Sequence, residues 1–182
     1  MAKPHTLVVL VEDQPGVLNR VVSLMRRRSF NIDSITVGHS EQPGVSRMTL
    51  VVVGEDAEVE QAGKQLYKIL EVLKVTDVSD LNVVAHEMAM VKVAAKPQHR
   101  QEIMLIAQIY DARIIDASPS TLLLEAVGGE EKIDALLAML RPFGIRELVR
   151  TGRIAMTRGS AGSSAKHAGR QEQVGSGAFA AD

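Results

Sequence analysis

The residues best placed to do chemistry are Asp13 and Gly16, in the stretch Glu12-Asp13-Gln14-Pro15-Gly16-Val17-Leu18. This stretch ends an apolar run and opens an amphipathic one, the pattern of strand, tight loop and helix. Asp13 can cap the new helix. Pro15 presets the entry dihedral and offers no N–H. Gly16 has no side chain, so a second molecule can come close to its backbone. The first N–H groups of a helix lack internal partners and carry partial positive charge, and a small carboxylate suits such a place. The same Asp-x-x-Gly spacing also suits a plain capped turn. A second polar stretch, Asn31-Ile32-Asp33-Ser34-Ile35, follows one helix later.

Other chemistry is sparse. His5, His39, His86, His99 and His167 include no pair at i, i+4. His86-Glu87 begins like a zinc-protease helix, but position 90 is Met, and the motif fails. His86 and His99 would need further ligands to hold a metal. There is no cysteine, hence no thiol nucleophile, thiolate site or disulfide, which fits a reducing cytoplasm. No glycine-rich dinucleotide loop, Gly-Lys-Ser/Thr phosphate loop or Gly-x-Ser-x-Gly elbow is present. No carboxylates form a recognisable acid/base pair, so no catalytic residue is assigned. Arg26-Arg27-Arg28 could grip a phosphate, but cations at a helix C-terminus also favour the helix dipole.

The elements that must position Asp13 and Gly16 follow from periodicity. Thr6–Val11 reads as a buried strand. Residues 16–28 read as a helix, with Val17, Leu18, Val21, Val22 and Met25 on one face. Asn31–Gly38 and Ser46–Gly54 read as a hairpin around the turn Glu41-Gln42-Pro43-Gly44. A helix is expected over Asp56–Leu73, its buried stripe including Val59, Ala62, Leu66, Ile69, Leu70 and Leu73. A short strand at Val75–Val78 completes β-α-β-β-α-β, the ferredoxin-like order of one antiparallel sheet with two helices on one face.

The pattern then repeats. Met88–Ala95 is expected to be a strand, Gln98–Tyr110 a helix, Ala112–Ala117 and Leu122–Val127 a hairpin around Ser118-Pro119-Ser120. Glu130–Leu140 is expected to be a helix, and Ile145–Met156 to end on a strand. The fold class is therefore α+β: two tandem ferredoxin-like domains at 4–79 and 85–158, a linker at 80–84, and a tail. From Gly159 the chain turns to Gly, Ala, Ser and scattered charge, and 159–182 is expected to be disordered.

Composition narrows the function. The chain has 182 residues, 46% of them apolar, enough for one medium or two small cores. With 21 Lys+Arg against 22 Asp+Glu the net charge is -1, without the basic excess of nucleic-acid binding proteins. Trp is absent and aromatics are 3%, which disfavours base stacking. The N-terminal residues reach a strand at once and read without a signal peptide. No apolar run approaches the roughly 20 residues of a membrane helix.

Val11 to Arg20, Arg27 to Val37, Ser46-Arg47-Met48-Thr49, Gln65 to Ile69, Met90-Val91-Lys92-Val93 and Pro142 to Leu148 together resemble the small, regulatory subunit of acetolactate synthase. The resemblance runs from about residue 5 to 158, in order and almost without gaps, and leaves out the tail. It makes the first domain an ACT domain, a family of amino-acid sensors. It implies a separate catalytic subunit as partner, carrying thiamine diphosphate, FAD and magnesium, with no cofactor or metal on this chain. It further implies activation of that subunit and feedback inhibition by valine in branched-chain amino-acid biosynthesis.

In this family the effector lies between two ACT domains of a homodimer. By matching positions, Asp13, Gly16, Val17 and Leu18 would contribute from the loop and helix start. Asn31 and Ile32 would come from the neighbouring subunit. Amides at Gly16 to Leu18 suit a carboxylate, the Asp13 carboxylate or Asn31 carbonyl an ammonium, and Ile32 an isopropyl group. Burying that group is worth roughly 2 kcal/mol, about 10- to 200-fold against alanine. Position 13 is often Asn in this family; an Asp attracts the ammonium but repels a carboxylate within about 4 Å. Asn31 also suits a turn at a strand start. The competing reading is a free-standing double-domain amino-acid sensor that regulates transcription or another enzyme.

Overall fold

A computed structural model of the chain describes residues 2–159. The segment expected to be disordered, Gly159 excepted, and His167 lie outside the described residues. The first unit comprises β1 (Lys3–Glu12), α1 (Val17–Arg27), β2 (Asn31–His39), β3 (Val45–Gly54), α2 (Asp56–Leu66) and β4 (Val72–Asp77). The second comprises β5 (Val83–Ala94), α3 (Arg100–Ile109), β6 (Arg113–Ala117), β7 (Thr121–Gly128), α4 (Glu130–Leu140), β8 (Ile145–Arg150) and β9 (Ile154–Thr157). The sheets run β2-β3-β1-β4 and β6-β7-β5-β8, all neighbours antiparallel, with β9 added to the start of β5. This is the expected pair of ferredoxin-like units. Even the irregularities repeat: the register shifts between Leu10 and Val11 and between Lys92 and Val93, and again between Ile32 and Ser34 and between Ile114 and Asp116.

Each sheet buries one face under its two helices. In the first unit Leu7, Val9 and Val11 of β1 and Met48, Leu50 and Val52 of β3 meet Val17, Val21 and Met25 of α1 and Val59, Ala62 and Leu66 of α2. The spacing of four along α1 keeps one stripe inward, and each such side chain contributes about 1.5–3 kcal/mol on burial. The second core is built the same way, around Val91, Leu124, Ile103, Leu136 and Leu140.

The other face of the first sheet is covered as well. Val8 packs with Val78 and with Ala155 of β9, flanked by Val83 and Ala85. A strand covered on both faces needs apolar residues on both sides, so β1 reads as a continuous run rather than an alternation. Polar bonds fix the docking. Thr36 Oγ1 donates to the Thr151 carbonyl (3.3 Å), Arg47 Nη2 to the Ala155 carbonyl (2.8 Å) and Arg153 Nη1 to Thr6 Oγ1 (3.4 Å). Arg153 also pairs with Glu130, and Arg150 with Glu87 and Asp134. Its hydrogen bond to Glu87 raises the Arg150 pKa above its ordinary value, with Asp134 adding to the effect.

Several boundaries differ from expectation. The helix expected to reach Leu73 stops at Leu66. The sheet needs Val72–Asp77 to pair with β1, and the Glu12 amide already draws in the Glu71 carbonyl at 2.9 Å. The apolar residues past Leu66 therefore face different ways: Leu70 is 82% exposed, while Val72 is buried. Tyr67 fastens the turn, its hydroxyl donating to the Val75 carbonyl (3.1 Å) and accepting from the Val75 amide (3.0 Å). The strand expected at Met88–Ala95 begins at Val83, because Val83–His86 pairs with β9. The final segment is two strands, β8 and β9, parted at Thr151-Gly152-Arg153. The helix expected at Gln98–Tyr110 enters through a tighter turn at Pro97–His99.

Candidate functional site

The loop between β1 and α1 is built from backbone bonds. The Asp13 amide donates to the Gly44 carbonyl (2.8 Å), tying the loop to the β2–β3 hairpin. Gly16 occupies the N-cap position with φ 88° and ψ -9°, a left-handed conformation that costs glycine nothing and other L-residues about 1–2 kcal/mol. The first helical bond runs from the Arg20 amide to the Gly16 carbonyl (3.0 Å). The amides before it precede any intrahelical partner. The Val17 amide makes a long bond to the Gln14 carbonyl (3.4 Å). A Cβ built on Gly16 would meet nothing within 4 Å, so the space over the helix start is open.

Asp13 does not cap the helix, contrary to expectation: α1 has no side-chain cap. Its carboxylate turns to the hairpin instead. Ser46 Oγ donates to Asp13 Oδ1 (3.2 Å), and His39 Nδ1 lies 3.4 Å from Asp13 Oδ2. The carboxylate is 46% exposed, and of its roughly four lone-pair directions two face the hairpin. Beside the loop, Arg20 pairs with the nearly buried Glu71 and ties α1 to the start of β4.

The six residues singled out in the sequence fall into two groups. Asp13, Gly16, Val17 and Leu18 lie together. Val17 is buried in the core and can offer only its amide, while Leu18 is 43% exposed. Asn31 and Ile32 pair with Val53 and Val52, level with Pro4 and His5 at the start of β1. Asp13 follows Glu12, which pairs with Val45. Eight positions along β3 separate the two groups, about 26 Å. One chain alone does not bring them together. Asn31 is exposed at the start of an edge strand; Ile32 leans on its own core. Sequence reasoning missed His39, Gly44 and Ser46. The turn at Gln42-Pro43-Gly44 held the signal, since it sets the register that pairs His39 with Ser46 beside the end of β1.

The second unit repeats the scaffold without the opening. The Ala95 amide donates to the Ser120 carbonyl (2.8 Å), as Asp13 does to Gly44. There the Arg100 guanidinium fills the junction, donating to the carbonyls of Ser118 (2.7 Å) and Pro119 (3.1 Å). No glycine opens α3. Among the described residues no group of three or more His, Asp or Glu could hold a metal ion. No described helix is long and apolar enough to cross a membrane.

Comparison with known proteins gives one family for both units. The family model described as an AHAS small subunit-like ACT domain matches residues 7–74, and that described as the small subunit of acetolactate synthase matches 86–159. A probable acetolactate synthase small subunit of Archaeoglobus fulgidus is 47% identical over 156 residues, 86% of this chain and 98% of the relative. The chain belongs to the acetolactate synthase small-subunit family. An acetolactate synthase small subunit of Mycobacterium bovis is 46% identical over 160 residues, 88% of this chain and 95% of the relative. The crystal structure of an acetolactate synthase small subunit from Thermotoga maritima superposes with a TM-score of 0.82 at 42% identity, covering 86% of this chain and 98% of that one. Within this small-subunit chain, all six singled-out residues fall in the ACT match, and α3 with its Arg100-filled junction in the other.

Proposed function

We propose that this chain is the non-catalytic regulatory subunit of acetolactate synthase, that it activates the catalytic subunit, and that it confers feedback inhibition by valine in branched-chain amino-acid biosynthesis. Thiamine diphosphate, FAD and magnesium belong to the catalytic partner.

One observation carries the effector reading. The loop at Asp13 and the strand start at Asn31 lie at opposite ends of β3, and β2 is an open edge. A two-fold mate pairing antiparallel along β2 reverses that strand. The partner's Asn31 then comes beside this chain's His39 end, where Asp13 lies. An isologous dimer through ACT domains makes two such sites and covers two strand edges at once. In each, the open amides at the helix start receive the valine carboxylate. The Asp13 carboxylate and the partner's Asn31 carbonyl receive the ammonium.

Inhibition follows if valine binds one arrangement of the paired domains better than the other. By reciprocity the catalytic subunit then changes valine affinity, by an ordinary coupling of about 1–3 kcal/mol. The test is reconstitution with the catalytic subunit, measuring acetolactate formation with and without this chain and L-valine. The expected result is a raised rate that valine lowers. A catalytic subunit whose rate and valine response are the same with and without this chain overturns the reading.

A further inference from the structure

Between the two units, on the side of the first sheet away from its helices, lies a cleft of about 520 Å³. That is within the range of small-molecule sites, about 300–1,000 Å³. Its walls come from both units: Val37 and Arg47 from β2 and β3, Val84 and His86 from β5, Ile154 and Met156 from β9. Val37, Ile154 and Met156 are 42%, 55% and 67% exposed. Val84, His86, Ile154 and Met156 share one face of the β5–β9 pair, and aliphatic residues of both units border the gap.

The one permanent charge among the lining residues is positive, that of Arg47. No carboxylate lines it, whereas Arg47, His86 and His39 do. Asp13, beyond the lining, is turned to Ser46 and His39. Arg47 is half-buried and held in place by its bond to the Ala155 carbonyl (2.8 Å), which uses one of its five N–H donors. A guanidinium fixed in this way is preorganised for a carboxylate. The missing acid makes the choice sharper. An α-amino acid entering here would find no carboxylate among the lining residues for its ammonium, which would lie beside a guanidinium.

We propose that this cleft is a second ligand site, for a small aliphatic carboxylate that carries no ammonium group, such as a branched 2-oxo acid. It adjoins the amino-acid site proposed at Gly16, because His39 lines the cleft and also lies against Asp13. Because both units form its walls, occupancy would also hold them together.

Calorimetry on the full chain tests this with 3-methyl-2-oxobutanoate and L-valine, which share the isopropyl group and differ in oxo against amino. The oxo acid should bind, and excess L-valine should not displace it. Arg47→Met should weaken oxo-acid binding about tenfold to a hundredfold, the usual loss of a hydrogen bond to a charged group. Arg47→Lys should retain part of it. Ile154→Trp, which fills the cleft from the opposite wall, should abolish it while thermal melting reports an intact fold. Absence of oxo-acid binding, displacement by valine, or unchanged affinity in both Arg47→Met and Ile154→Trp overturns the proposal. If valine fails to bind anywhere, the effector reading fails and the oxo-acid result still stands.

Discussion

Gly16 offers a test that separates backbone strain from charge. Its φ of 88° lies in the left-handed region, and a Cβ there would meet nothing within 4 Å. The cost of a side chain is therefore conformational and not steric. Gly16→Ala pays about 1–2 kcal/mol for the left-handed region and recovers part of it by narrowing the unfolded ensemble. A net loss of about 1 kcal/mol lowers Tm by about 2–4 °C in a chain of this size. Gly16→Asn should lose less, because its side chain can bond locally in that region. Gly16→Asp matches Asn in shape and adds a charge. Under the proposed function, and for a separation of about 4–8 Å from the valine carboxylate, that charge gives a repulsion of roughly 2–4 kcal/mol at an effective dielectric near 20. Valine affinity should then fall at least about 30-fold relative to the Asn variant. Thermal melting reads the first effect and calorimetry with L-valine the second. Equal stability of the Gly and Ala forms would refute the backbone argument. Equal valine affinity of the Asn and Asp forms would remove the carboxylate from the helix start.

Gly152→Val should loosen the docking of the two units. Gly152 has φ 82°, and a Cβ there would lie 3.1 Å from Thr36 Oγ1 and 3.3 Å from Ser34 Cβ. Strain and overlap together should cost about 2 kcal/mol or more, read as an earlier melting transition and faster proteolysis between the units. Acid should weaken the fold. Lys3, Lys64 and Lys92 hold the carboxyls of Asp56, Glu60 and Glu147 below the ordinary carboxylate range, chiefly by hydrogen bonding. The unfolded chain binds those protons more readily, so this stability is present above pH about 5 and is lost as the pH falls through the carboxylate range. Urea midpoints between pH 6 and 3 at low salt should show the decline, and a moderate salt concentration should shrink it because all three carboxylates are exposed.

Local chemistry was legible and long-range register was not. The β1–α1 junction stood out because Pro15 and Gly16 interrupt two apolar patterns of different period. Helix α4 was legible to its ends, bounded by Gly129 and by Pro142 two residues beyond Leu140. The overrun of α2 came from residues that serve two periods: Leu66 and Ile69 continue a helical stripe, while Val72 and Val75 already belong to a strand. Strand β9 has four residues, and its partner Val83–His86 lies about seventy positions away, so no window of sequence contains the pair. The same limit hid the partners of Asp13. Its position next to a turn suggests a helix cap, and only the hairpin register reveals that Ser46 and His39 hold it. Asn31 and Ile32 entered through family resemblance alone, because nothing in their spacing points to a ligand.

The double cover of the first sheet has a consequence for how the site can act. Strand β2 carries Asn31 and Ile32 and leaves one edge open. Its middle rests on the second unit: Thr36 bonds to Thr151, and Gly152 lies so close to Ser34 and Thr36 that a Cβ would come within 3.1 Å of Thr36 Oγ1 and 3.3 Å of Ser34 Cβ. Thr151 is in turn fixed to β5, its amide donating to the Met88 carbonyl (3.0 Å) and its hydroxyl accepting from the Met88 amide (3.1 Å). Close-packed interfaces of this kind resist gradual deformation. A shift of β2 as the proposed dimer closes over valine must therefore either break the Thr36–Thr151 contact or carry the β8–β9 connection with it. The second unit then moves as a body, since Arg150 and Arg153 anchor that connection to Glu87, Asp134 and Glu130. In this geometry a ligand at the edge of one domain gains a mechanical hold on the other without touching it.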